Sequence, residues 1–151
     1  MSTRFQHLNT NWEATGTGTG HGVGVGPTLP AVNRWGVTFK AVEDPSRQYR
    51  GTISAEDPGA VPEDELKDAL EEQLVIAAIE MSKYIWRPAE AISRDTGIAL
   101  DKVRRILETT SVDVIVAPQP NKQGLTLYST REHYQKNTSF VRRYIDTIES
   151  S

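Results

Sequence analysis

The stretch Arg87–Ser129 constrains the fold of this 151-residue chain more than any other. Arg87-Pro88-Ala89-Glu90-Ala91-Ile92-Ser93-Arg94-Asp95-Thr96-Gly97 has the composition of a short helix stopped by glycine, the residue that best tolerates the left-handed turn in which helices often end. A second helix is predicted over Ile98–Glu108, where Leu100, Val103, Ile106 and Leu107 fall on one face and so form the buried set. That leaves Ala99, Asp101, Lys102, Arg104, Arg105 and Glu108 for solvent. Val112–Val116 and Leu125–Ser129 then flank a loop of Pro, Asn and Gly, the pattern of a β-hairpin.

The flanking segments extend this unit. A long helix should begin at Pro62 or Glu63, with acidic residues in its first turn where the helix dipole favours them. Leu66, Leu70, Leu74, Ala77, Ala78 and Met81 share one face, and Val75, Ile76 and Ile79 add a second near the end. That end is expected to be buried on more than one side. Tyr84-Ile85-Trp86 is a candidate short strand pairing with the hairpin, and Pro88 suits the first turn of the next helix. A last helix is expected from Thr130 to Ser151, capped by Ser129 or Thr130. Asn137-Thr138-Ser139 is a candidate break in it. Phe140, Val141, Tyr144, Ile145 and Ile148 make an apolar stripe.

The N-terminal part reads differently. From Gly16 to Gly26 glycine alternates with Thr, His or Val, and Pro27 and Pro30 follow. Such a run loses much entropy on ordering, and its spacing never gives the G-x-G-x-x-G of a phosphate-cradling loop. Residues 1–33 are therefore expected to be a disordered tail, and deletion of residues 1–30 to leave the melting temperature nearly unchanged. Trp35, Val37, Phe39 and Ala41, then Tyr49, Gly51, Ile53 and Ala55, alternate on either side of Glu43-Asp44-Pro45-Ser46-Arg47, which predicts a hairpin over 34–56. A lone hairpin is marginal in water, so this one must pack on the next domain, pair with a partner or stay loose. The expected organisation is a tail at 1–33, hairpin and linker at 34–61, a main domain at 62–136 and a C-terminal helix at 137–151.

Composition narrows the function classes. Apolar residues make up 37% of the chain and the net charge is −3, which argues against a strongly basic nucleic-acid binder. The charge is segregated, however: residues 61–81 carry one basic against seven acidic residues, and 82–151 carry eleven basic against eight acidic. There is no cysteine and hence no disulfide or thiolate metal site. The start of the chain lacks the apolar run of a signal peptide, and no stretch approaches the roughly 20 apolar residues of a membrane helix, so a cytoplasmic location is expected. His7, His21 and His133 are too scattered for metal-ligand spacing, and His133 is expected as a surface or half-buried helical residue. No nucleophile elbow or Walker sequence is present. The expectation is a protein without cofactor or catalysis.

The residues Ile92, Gly97, Ile98, Leu100, Val103, Ile106 and Leu107, with the Val112–Ser129 hairpin as a wing, resemble the winged helix-turn-helix superfamily across about residues 63–136. The resemblance implies an α+β fold, a three-helix core with a hairpin wing, here joined by a C-terminal helix and a flexible N-terminal arm. It implies a regulator or tether that reads duplex DNA with the helix at 99–109 and the wing at 117–124. Arg94, Lys102, Arg104, Arg105 and Lys122 are then the DNA-binding candidates. Ala99 stands where the family supplies a Ser or Thr cap, and the wing tip carries a single cation. Winged helices also dock proteins, so the alternative is a non-catalytic adaptor. In it Arg104–Glu108 and Asp101–Arg105 are solvated pairs one helical turn apart. A homodimer through Phe140, Tyr144, Ile145 and Ile148 would suit two half-sites on DNA.

Overall fold

The computed structural model describes residues 2–16, 21–22, 33–54 and 61–138. It is an α+β chain with two antiparallel sheets. It divides into two compact units, Met1–Leu74 and Val75–Ser151. The division falls inside a helix rather than at the Pro/Gly-rich segment near residue 61, where the sequence suggested a boundary.

In the first unit, β1 (Ser2–His7) and β2 (Thr10–Gly16) form a hairpin, and β2 pairs with β4 (Asn33–Ala41). β5 (Gln48–Ser54) pairs along the other edge of β4, and the two residues of β3 (His21–Gly22) continue the edge that β2 occupies. This corrects the expectation of a disordered tail: residues 2–16 lie in the sheet. The β1–β2 turn is Leu8-Asn9, with φ of 53° and 58°, the left-handed pair of a type I′ turn. Asn accepts that conformation; Leu does so at a steric cost. Most of the Gly16–Gly26 run lies outside the described residues.

One face of this sheet is apolar because the strands alternate. Phe5, Trp12, Ala14, Val37, Phe39, Ala41 and Ile53 are all buried, and the registers Phe5↔Trp12, Trp12↔Ala41 and Ala14↔Phe39 bring them side by side. Helix α1 (Glu63–Glu80) covers them with Leu66, Leu70 and Leu74. Gly51 permits the approach: a Cβ there would lie 3.3 Å from Phe39 Cε2, 3.4 Å from Gln73 Cγ and 3.6 Å from the Ala69 carbonyl oxygen. His7 Nε2 lies 2.9 Å from Glu71 Oε1, tying β1 to the helix through a carboxylate that is itself buried. The predicted 34–56 hairpin is present as β4 and β5. Asp44 organises its turn by accepting hydrogen bonds from the Ser46 amide and hydroxyl.

The second unit begins with the end of α1, where Val75, Ile76 and Ile79 are buried. Then come β6 (Arg87–Pro88), α2 (Ala89–Thr96), α3 (Leu100–Thr109), β7 (Val114–Val116) and β8 (Leu127–Thr130). Residues 131–138 form a fourth helix, α4. The sheet order is β6-β8-β7, with Arg87↔Tyr128 and Ile115↔Ser129 among the paired residues. Ala89, Ile92, Ile98, Val103, Ile106 and Leu107 are its core. Leu100, expected with them, is half-buried. The short strand is Arg87–Pro88 and not Tyr84–Trp86. Met81, expected on the buried face of α1, lies one residue past the helix end and is 81% exposed.

Side chains finish what the helix ends lack. Gly97 closes α2 with φ of 79°, its amide donating to the Ser93 carbonyl. Ala99 begins α3 without a side-chain cap. The turn is instead tied by Ser93 Oγ, which donates to the Ile98 carbonyl at 2.6 Å, and by Thr96 Oγ1, which accepts from the Ile98 amide at 3.3 Å. Arg87 donates to the Ala78 carbonyl and pairs with Asp95, binding the end of α1 to the end of α2. Thr130 caps α4 by accepting from the His133 amide at 3.1 Å. His133 is buried rather than superficial, with its Nε2 3.0 Å from the Tyr84 carbonyl and its Nδ1 3.2 Å from Asn137 Nδ2. Asn137 and Thr138 remain helical, their side chains bonding back to the carbonyls of His133 and Tyr134. Ser139 and the stripe Phe140, Tyr144, Ile145 and Ile148 lie outside the described residues.

Candidate functional site

The candidate surface is built from α3 and the loop between β7 and β8. Val103, Ile106 and Leu107 turn one side of α3 into the core, so Asp101, Arg104, Arg105 and Glu108 are left exposed. Lys102 is half-buried and engaged in an interaction of its own. The expected pairs Arg104–Glu108 and Asp101–Arg105 do not occur among the described residues. Arg104 instead reaches across to α2, where its Nη2 donates to Glu90 Oε1 at 2.9 Å. Arg105 is exposed, and its guanidinium makes no ion pair among the described residues.

The loop owes its shape to Asn121. The Asn121 Oδ1 accepts from the Gln123 and Leu125 amides, each at 2.9 Å, while its own amide donates to the Leu125 carbonyl at 3.0 Å. Gly124, with φ of 80°, completes the turn. Lys122 therefore stands exposed on an ordered tip. At the base of the hairpin Arg131 pairs with Asp113.

A shallow cleft brings the elements together: Ala89 and Glu90 of α2, Arg104 of α3, and Gly124, Leu125, Thr126 and Tyr128 line it. Glu90 Oε2 is buried there with no hydrogen-bond partner among the described residues. Of the five candidate cations, Lys102, Arg104 and Arg105 share α3, and Arg104 also borders the arm of the loop that carries Lys122. Arg94 stands apart on α2, 77% exposed and 3.8 Å from Asp95. Sequence reasoning missed Glu90, Asn121 and the Arg87–Asp95 pair. Glu90 and Arg104 are 14 positions apart, beyond the reach of any same-helix rule. The Asn–x–x–Gly order of the loop was a legible turn signal.

Among the described residues, no group of three or more His, Asp or Glu side chains is placed to hold a metal ion. None of the described helices is long and apolar enough to cross a membrane. Comparisons of the chain with protein families, curated proteins and solved structures returned no match.

Proposed function

We propose that residues 75–138 form a winged helix that contacts duplex DNA, with α3 toward the major groove and the β7–β8 loop as the wing. The observation carrying this reading is the order helix, short strand, helix, turn, helix, hairpin, with the first strand paired to the second arm of the hairpin. That order lays one helix and one ribbon beside each other on an open surface. Arg105 and Lys122 are its principal contacts, because both are exposed and neither forms an ion pair among the described residues. Arg94 adds a phosphate contact from α2, and Lys102 extends the basic strip on α3. Asp101 and Glu108 share the exposed side of α3, so the footprint is small and the non-specific affinity low. No cofactor or catalytic step is part of this reading.

A salt titration of binding to random-sequence duplex DNA tests it. The expected outcome is binding at low ionic strength with a shallow but finite salt slope. Lys122→Ala should weaken binding to all sequences alike and lower the slope by about one unit. Arg105→Ala should cost about 1–3 kcal/mol and relax preference at one base pair.

The second reading is an adaptor that docks a protein. It is favoured by the exposed apolar side chains of Met81, Tyr84 and Val116 in the same unit, 81%, 58% and 55% exposed. Absence of DNA binding even at low salt would leave this reading in place of the first. The electrostatic contribution appears on any duplex, so the wrong target sequence does not account for such a result.

A further inference from the structure

The ion pair in the cleft is half satisfied. Arg104 meets Glu90 through one contact, Nη2 to Oε1 at 2.9 Å, while Glu90 Oε2 is buried without a donor among the described residues. A carboxylate oxygen that has lost water and gained no hydrogen bond is costly. The closed pair therefore leaves one carboxylate oxygen without the hydrogen bond it would have in water. Both side chains keep a route to water, at 49% exposure for Arg104 and 34% for Glu90, so the carboxylate can leave without passing through the core. Arg104 has a better partner in prospect: a phosphate offers a guanidinium two parallel hydrogen bonds, where Glu90 takes one.

We propose that Glu90 masks Arg104. In the free protein the carboxylate occupies the guanidinium, and a phosphodiester arriving at the cleft between α3 and the hairpin displaces it. Arg104 is thus a latent phosphate ligand, in contrast to Arg105, which is open from the outset. The mask also places a negative charge where the DNA backbone approaches, which lowers affinity for duplex that does not seat fully against the cleft. This inference rests on the DNA reading above.

The test compares the full chain with Glu90→Gln, Glu90→Ala, Arg104→Ala, Glu90→Gln/Arg104→Ala, and Glu108→Gln alone and with Arg104→Ala. Each is titrated with a random-sequence duplex at low ionic strength after a thermal melt has established its folding. Glu108→Gln makes the same charge change on exposed α3 without touching Arg104. The mask predicts that Arg104→Ala loses less binding than Arg105→Ala, because breaking the pair with Glu90 offsets part of what the freed guanidinium gains. Glu90→Gln should bind several-fold more tightly, with a salt slope steeper by about one unit, and lose that gain in the double variant. The gain from Glu108→Gln should be smaller and survive Arg104→Ala.

A Glu90→Gln gain that persists without Arg104 would reduce the effect to bulk charge and overturn the proposal. So would a loss in Arg104→Ala as large as that in Arg105→Ala. Failure of both Glu90 variants to fold would make the pair a structural bond rather than a mask. Wild-type binding with no gain in Glu90→Gln sinks the mask alone, whereas no binding by any variant sinks the DNA reading beneath it.

Discussion

Gly51 shows how one missing methyl group sets a helix-to-sheet distance. The nearest atoms to a Cβ at this position belong to Phe39, Gln73 and the Ala69 carbonyl, so the side chain that strand propensity favours here is the one the helix excludes. Gly51→Val should cost about 1–3 kcal/mol by overpacking, and Gly51→Ala less, because the 3.3 Å contact is to a ring edge. Urea unfolding should show a lowered midpoint with an unchanged slope. A valine variant as stable as wild type would mean that α1 does not approach the sheet this closely. The same scale explains what the sequence withheld about Arg104. Its basicity and solvent-facing register were readable, but its partner lies on another helix, and only the tertiary fold brings Glu90 to it.

At the level of elements, α2 and α3 were the most legible. Their apolar residues repeat at the helical period within a few turns, and Gly97 stops the first where a left-handed residue is needed. Their ends shifted by one or two residues, as helix ends do. The β1–β2 hairpin was not legible. Phe5 is the one apolar residue of β1, Trp12 and Ala14 alternate over only three positions of β2, and the turn is Leu8-Asn9 rather than Asn-Gly. Its stability comes from pairing with β4, more than twenty residues away, and no local window carries that information.

Two predictions belong to α3. Ala99 has the non-helical backbone of a helix cap, φ −55° and ψ 140°, without a capping side chain, so Ala99→Ser should stabilise the protein by about 0.5–1 kcal/mol. A melting temperature that falls instead would show that the Asp101 and Lys102 amides do not donate to a hydroxyl at this position; the Lys102 amide already donates to the Ala99 carbonyl at 3.0 Å. Leu107 is 5% exposed, and Leu107→Ala should cost about 2–5 kcal/mol. A cost below about 0.5 kcal/mol would place Leu107 on the surface and rotate α3 from the orientation on which Arg105 depends.

Across the whole molecule, the division between Leu74 and Val75 cuts α1 between the two units and parts the buried leucines of its first face from the buried residues of its second. Leu66, Leu70 and Leu74 serve the first, and Val75, Ile76 and Ile79 the second. The sequence displayed both faces but gave no reason to separate them, because a helix buried on two sides also fits a single three-helix core. The N-terminal segment decides between the two accounts. If residues 1–16 were a tail, their deletion would leave stability unchanged. In the sheet, deletion removes Trp12, 1% exposed, and Phe5, 7% exposed, and bares the edge of β4 that β2 occupied. Loss of one buried aromatic costs about 3–5 kcal/mol, a large part of the 5–15 kcal/mol that holds a typical domain together. The truncated chain should therefore lose amide-exchange protection along β4 and β5. Protection in α2 and α3, whose hydrogen bonds and buried contacts lie in the second unit, serves as the internal reference. Full protection of β4 after truncation would return residues 1–16 to the status of a tail.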